Sequence, residues 1–279
     1  MKKTYFYGEM AFFDSHLHIA RLPEPLEVAR ELHERGYRYR AVACEPWEWK
    51  ALQELWEKAS AEGWLEGCGF AFGIHPMVAT DIACKLQDDS SDDCWSELRR
   101  LLEKFPEAQV GEAGLDKRYA GYEPGGAQET AFRRQAKMAL ELGRDLQIHC
   151  VGDYGRIVQI LKEIGFGAAP GKESVAGSAC AASVKRPHPI FHRFGGDAGI
   201  VKAGKPLGAL FSIHADSLHK KATREALGLI PQANLLFETD ADETFCESHG
   251  LNGATPQACT PRQIADALVN RLNQVQDSL

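Results

Sequence analysis

The chain has 279 residues, enough for one large α/β domain or two small ones. With 44% hydrophobic residues it can bury a substantial core, and its formal net charge of −7 argues against a protein that coats nucleic acid by neutralising phosphates. Residues 1–10 include charges and no apolar export segment, and no run of about 18 apolar residues follows. The eight cysteines form no Cys-x-x-Cys pair, so we expect a cytoplasmic protein with reduced thiols and no membrane partner.

An Asp-x-His-x-His motif begins the chain's ordered pattern, directly after two phenylalanines. Side chains alternate between the two faces of a strand, so Asp14, His16 and His18 project the same way. Two neutral imidazoles on one rigid strand form half of a metal site. Asp14 would sit deeper and support the two histidines from behind.

Short apolar segments alternate with amphipathic ones along the rest of the chain. We predict strands at 12–18, 40–44, 68–76, 109–116, 146–150, 189–194, 207–214 and 235–240. We predict helices at 23–36, 47–63, 95–105, 128–142, 157–164, 220–229 and 260–275. Eight buried strands alternating with helices predict an α/β (β/α)8 TIM barrel, with residues 1–279 as a single domain. An open doubly wound sheet is disfavoured because no Gly-x-Gly-x-x-Gly turn follows a strand.

Two further segments stand out by composition. Four of the five tryptophans lie between residues 47 and 64, where they either pack a helix on the sheet or form a surface for stacking nucleobases. Residues 165–187 are rich in Gly, Ala and Ser and lack periodicity. A loop of this length within a compact domain is typically functional, so we predict a lid or substrate loop there.

Ionisable residues interrupt six of the predicted strands near their carboxyl ends, where the strands of a barrel converge on one site. Burying so many such groups without partners would cost several kcal/mol each, and a shared metal cluster removes that cost. A carboxylate such as Glu112 can bridge two metal ions, an arrangement suited to hydrolysis, in which Asp240 would hold or deprotonate a water molecule. The residues of this constellation are His16, His18, His75, Glu112, His149, His192 and Asp240.

The order and spacing of seven short motifs resemble those of the TatD family, metal-dependent deoxyribonucleases of the amidohydrolase superfamily. The resemblance runs from about residue 12 to 241 and implies a TIM barrel, two divalent metal ions (Mg, Mn or Zn) and trimming of DNA from 3′ to 5′, on single strands or 3′ ends. It implies that the metal ligands are His16, His18, Glu112, His149, His192 and Asp240, and that His75 contacts substrate. The motifs lie at 13–18, 73–76, 111–116, 128–135, 147–149, 191–196 and 238–241.

The chain departs from the family pattern after two histidines. His149-Cys150-Val151 lacks the arginine usual near the phosphate, and Arg193 is our hypothesis for its replacement in substrate binding. We therefore predict a hydrolase with Asp240, Glu112 and His75 as catalytic residues. Two alternatives are kept: a metal-dependent hydrolase of a small amide, lactone or phosphate ester, and a non-catalytic interaction module that retains its metal. We make no prediction of oligomeric state.

Overall fold

A computed structural model describes residues 13–85, 92–168, 186–251 and 259–279. Eight strands in these ranges form one sheet, and consecutive strands pair in parallel in chain order. Their bounds are β1 Phe13–Leu17, β2 Arg38–Ala43, β3 Gly69–Phe72, β4 Gln109–Asp116, β5 Leu146–Val151, β6 Pro189–Phe191, β7 Leu210–Ile213 and β8 Leu235–Phe237. This confirms the predicted (β/α)8 architecture, although several strands are shorter than predicted.

Helices alternate with the strands. Their bounds are α1 Pro25–Glu34, α2 Pro46–Ala61, α3 Pro76–Lys85, α4 Asp92–Lys104, α5 Ala127–Leu142, α6 Tyr154–Ile164, α7 Ala198–Gly204, α8 Lys221–Leu227, α9 Phe245–Ser248 and α10 Pro261–Asp277. Four of them, α1, α2, α3 and α10, begin with proline, whose fixed φ suits the first helical position and whose missing N–H has no helical partner there. All seven predicted helices are present, whereas α3, α7 and α9 were not predicted.

The barrel closes between its first and last strands. The backbone of His18 donates to the carbonyl of Ala241 at 3.0 Å, and that of Asp240 donates to the carbonyl of His16 at 3.0 Å. Fully buried Asp14 reinforces this seam, because its carboxylate accepts hydrogen bonds from the Tyr37 hydroxyl and from the backbone of Thr239. Asp14 thus ties the strand that carries the histidines to Tyr37 and Thr239.

Two apolar regions hold the barrel. The main core lies between the outer face of the sheet and the helices, and a smaller cluster comprises Ile190, Leu210 and Leu236. By strand alternation these three side chains share a face with His192 and Glu238, so they fill the floor of the barrel interior. Above that floor, Gln147 donates to the side chain of Gln109 and to the backbone of Ser15. The interior therefore becomes polar toward the carboxyl ends of the strands.

Most of the predicted lid, at 169–185, lies outside the described residues. No helix in the described ranges is long and apolar enough to cross a lipid bilayer.

Candidate metal centre

Glu112 stands at the middle of the polar end of the barrel. It follows Gly111, whose φ of +122° favours glycine, and an added Cβ there would lie 2.4 Å from the carbonyl oxygen of Gln147. On the other side, a Cβ on Gly73 would lie 2.4 Å from the Cα of Gly111. The two glycines therefore let three strands approach closely, which brings the Glu112 carboxylate among the histidines.

One oxygen of Glu112 belongs to a first group of atoms that could bind a metal ion. This group also contains the Nε2 atoms of His16 and His18 and the Oδ1 atom of Asp240. The two Nε2 atoms are 3.3 Å apart and lie 3.4 and 3.5 Å from Oε2 of Glu112. Both also lie 3.8 Å from Oδ1 of Asp240. His16, His18 and Glu112 thus lie close enough together to hold one cation, and Asp240 borders the same two imidazoles.

The second oxygen of Glu112 belongs to a second group. Its Oε1 atom lies 2.6 Å from Nδ1 of His149 and 2.7 Å from Nε2 of His192, and these two nitrogens are 3.3 Å apart. Nε2 of His75 is 3.6 Å from the same oxygen. Glu112 therefore spans two donor groups, the geometry of a carboxylate that bridges two metal ions.

The ring nitrogens that face away from the site, here called the rear nitrogens, have partners that fix where a proton lies. Nδ1 of His18 lies 3.3 Å from Oε1 of Glu48, Nδ1 of His16 lies 3.3 Å from Oε1 of Gln147, and Nε2 of His149 lies 2.9 Å from Oδ2 of Asp116. Each partner atom is an acceptor, so the rear nitrogen carries a proton, and in the neutral ring the front nitrogen can direct a lone pair into the shared space. The front nitrogens of the neutral rings and the carboxylate oxygens together form a ligand set that fits a cation.

His75 differs from these rings because its protonated nitrogen faces the site. Its Nδ1 atom accepts a hydrogen bond from the backbone of Met77 at 3.0 Å, so the proton lies on Nε2, which faces Glu112. Burial lowers the pKa of His75 to about 3, and the ring stays neutral. His75 is therefore a hydrogen-bond donor to the site even though its ring is neutral.

At His18 and Asp240, by contrast, opposite charges outweigh burial. Burial opposes the charge of His18, yet hydrogen bonds to Glu112 and Glu48 raise its pKa to about 10. Burial would raise the pKa of Asp240, but His192, His16 and His18 hold it at about 2. The carboxylates are thus ionised and balanced by protonated imidazoles, and a bound cation would replace those protons.

Three buried carboxylates that sequence reasoning missed support the histidines. Glu48, in the first turn of α2, is held by Arg21 through contacts of 2.7 and 3.0 Å. Asp116, the last residue of β4, is held by Arg118, whose nearest contact is 2.6 Å. Glu238, just beyond β8, lies 3.5 Å from Nδ1 of His192 and accepts from the backbone of Arg193. Asp116 was detectable in the Gly-Glu-Ala-Gly-Leu-Asp motif, whereas Glu48 resembles an ordinary solvent-facing residue of a first helical turn.

Arg193 lies at the mouth of the site. Its guanidinium contacts Oδ2 of Asp240 at 2.8 Å and also contacts Asp216. The backbone φ values of Arg193 and Asp240 are +42° and +49°, a region that non-glycine residues seldom adopt. Such strain persists where the surroundings impose it and is common at functional sites. His214, which follows β7, is also buried at this end and was not among the predicted site residues.

The fold and site together define a (β/α)8-barrel protein with a candidate metal centre at the carboxyl ends of its strands. The structure brings all seven residues of the predicted constellation together, with Arg193 beside them. A family model described as TatD related DNase matches residues 13–273, and the chain belongs to this family.

Individual relatives agree with this assignment. A protein of Pantoea vagans named 3′-5′ ssDNA/RNA exonuclease TatD is 29% identical over 196 residues, a match that covers 68% of this chain and 64% of that protein. The chain thus matches slightly less than two thirds of that relative's length. A protein of Mycobacterium tuberculosis named as an uncharacterized metal-dependent hydrolase TatD is 30% identical over 226 residues, covering 77% of this chain and 74% of the relative.

Solved structures match the fold over nearly the whole chain. An uncharacterized amidohydrolase from Saccharomyces cerevisiae has a TM-score of 0.65 at 15% identity, covering 96% of this chain and 95% of that one. A TatD family hydrolase from Entamoeba histolytica has a TM-score of 0.62 at 14% identity, covering 93% and 96%.

Proposed function

We propose that the protein is a divalent-metal-dependent phosphodiesterase that trims single-stranded nucleic acid from its 3′ end. The observation that carries this proposal is the position of Glu112, whose two oxygens each belong to a separate group of ligand-type atoms. Two cations held this way suit the attacking and leaving oxygens of a phosphodiester. The name of the Pantoea vagans relative supports the substrate class and the direction of trimming.

The ligands in this proposal are His16, His18, Glu112, His149, His192 and Asp240. Imidazole and carboxylate donors suit Mg, Mn or Zn, and we propose two ions, one for each oxygen of Glu112. Bound cations would polarise a phosphoryl oxygen and lower the pKa of a water molecule.

The chain's own residues position the substrate and move a proton. His75 donates from Nε2 to a non-bridging phosphate oxygen, because its Nδ1 atom already accepts from the backbone of Met77. Asp240 is ionised, with a pKa of about 2, and orients the attacking water while accepting its hydrogen bond. Arg193 reaches the same carboxylate and offers its guanidinium to the phosphate from the rim.

Digestion of a 5′-labelled single-stranded oligonucleotide with Mg²⁺ or Mn²⁺ tests the proposal. Wild-type protein should produce a ladder that shortens from the 3′ end, and Asp240→Asn should abolish it. Asp242→Asn is the matched control, because that side chain caps its own turn through Thr244 and lies outside the ligand groups. Cleavage that persists in Asp240→Asn would refute the site, and hydrolysis of only a small phosphate ester or lactone would select the small-molecule alternative.

The role of Arg193 needs a separate variant. Arg193→Ala should raise KM for the oligonucleotide and lower kcat, since a charge-assisted contact to phosphate contributes about 1.5–3 kcal/mol. Unchanged turnover and unchanged substrate affinity in this variant would exclude Arg193 from substrate binding.

A further inference from the structure

Two aromatic side chains at the mouth of the site are exposed, although large apolar residues in the described part of the chain are otherwise mostly buried. Trp47 is 53% exposed and Tyr119 is 39% exposed, whereas the other exposed large hydrophobic residues there are Leu229 and Leu279. Trp47 lies in the first turn of α2, directly after β2, and Tyr119 lies in the loop after β4, so both are at the carboxyl end of the barrel, on either side of β3 and His75. The ring of Tyr119 lies 6.0 Å from that of His75.

Each exposed ring lies against an arginine that is itself tied to the metal centre. The Arg21 guanidinium lies 5.4 Å from the centre of the Trp47 ring, and Arg21 holds Glu48, the partner of His18. On the opposite side, the Arg118 guanidinium lies 5.8 Å from the Tyr119 ring.

Arg118 in turn holds Asp116, the partner of His149. The same arrangement of aromatic ring, arginine, carboxylate and histidine therefore occurs once for each of the two ligand groups.

The arginines hold the rings without covering them. The Arg21 guanidinium donates to Glu45 at 2.6 Å and also to Glu48. The Arg118 guanidinium donates to Asp116 through two nitrogens, so carboxylates restrain both guanidinium groups. The exposed area of each ring remains open to solvent. A rigid open ring beside a phosphodiester-sized site is the setting in which single-stranded nucleic acid stacks its bases.

We propose that Trp47 and Tyr119 are two nucleobase platforms that flank the scissile phosphodiester. The inference rests on the proposed nuclease function and refines it: the substrate is a single strand whose bases on the two sides of the cut stack on one ring each. Every base has a π-face, so the two platforms accept any sequence but require unpaired bases. A duplex, whose bases are already stacked and paired, cannot reach both rings.

The test compares an intact single-stranded oligonucleotide with one whose last two residues are abasic, and with methyl p-nitrophenyl phosphate, a diester without bases. Trp47→Ala and Tyr119→Ala should each raise KM for the intact strand about tenfold at unchanged kcat, because stacking on one ring contributes on the order of five- to a hundredfold in affinity. The same variants should hydrolyse the base-free diester at the wild-type rate, which shows that the metal centre is intact. Trp47→Phe and Tyr119→Phe should restore most of the affinity.

Binding is measured separately from cleavage, by fluorescence anisotropy of the 5′-labelled strand in EDTA. Each alanine variant should weaken binding of the intact strand and leave binding of the abasic strand unchanged. Leu229→Ala is the matched control, since Leu229 is similarly exposed but follows α8, at the opposite end of the barrel. Equal losses of affinity for the intact and abasic strands, or no loss for either, would refute the platform proposal.

The two proposals fail in different ways. If the wild-type protein cleaves the strand and both alanine variants have the same KM and affinity as wild type, the platform proposal is refuted and the nuclease function is not. A wild-type protein that hydrolyses only the base-free diester and does not bind the strand would refute both.

Discussion

Asp116→Asn tests whether the carboxylates behind the histidines support the ligand groups separately. Asp116 is fully buried, and its Oδ2 atom accepts from Nε2 of His149 at 2.9 Å and from Arg118 at 2.6 Å. The asparagine oxygen is expected to keep that position, where two donors meet, so the contact survives without its negative charge.

The expected magnitude follows from that single change. A hydrogen bond with a charged partner contributes about 1.5–3 kcal/mol and a neutral one about 0.5–1.5 kcal/mol, a difference of roughly 1–1.5 kcal/mol or about tenfold in affinity. Loss of such a supporting partner typically weakens metal binding by about 10- to 100-fold. We therefore expect about a tenfold loss at the ligand group that contains His149, and little change at the group that contains His16 and His18.

Isothermal titration of metal-free protein with Mn²⁺, fitted to two sites and repeated with a competing chelator, measures both affinities. Asp197→Asn is the matched control, because Asp197 caps α7 and asparagine caps a helix equally well. Both affinities remaining within twofold of wild type would refute the reasoning, as would a loss confined to the other site.

Three other outcomes are expected. Glu48→Gln should weaken the other site, because Glu48 holds His18, and the same two-site titration should show the complementary pattern. Chelation should lower Tm, and each tenfold rise in free cation should then raise stability by about 1.4 kcal/mol per site, or roughly 3–5 °C; a Tm independent of metal concentration would contradict it. Burial alone would raise the pKa of Glu129, but hydrogen bonds from Arg156 and Arg133 lower it to about 2. The ionised carboxylate therefore contributes stability that is present above its unfolded pKa near 4.5 and is lost as pH falls toward 2. Glu129→Gln should therefore lower Tm at pH 7, and this difference should shrink between pH 5 and pH 3; a constant difference would refute it.

The strands were predictable because parallel strands buried on both faces have continuous apolar sequences. α7 was not, because its sequence contains Gly199 and Gly204, which disfavour helix in isolation. Asp197 begins this helix by accepting from the backbone of Ile200, and Val201 packs into the core. Tertiary contacts thus decide a helix that local propensity would not.

The convergence of the inward-facing histidines and acids was predictable for the same reason, since a histidine or acid in an apolar strand is conspicuous. Glu48 was not, because it lies among charged residues in a helical first turn and only the fold turns it toward His18. The base-stacking alternative for the tryptophan-rich segment was likewise open in the sequence. The fold gives these tryptophans different environments. Trp49 is buried and donates to the backbone of Gly73, whereas Trp47 lies at the surface.

The seam between β1 and β8 has a consequence for how the site comes into being. Asp14 and Thr239, which join across it, are 225 residues apart, and His16 and Asp240 meet at the same place. The first ligand group therefore exists only after the last strand has docked on the first, late in the assembly of a chain dominated by distant contacts. A nascent or partly unfolded chain therefore lacks this half of the candidate centre. A cation bound there would in turn link the first strand of the sheet to the last.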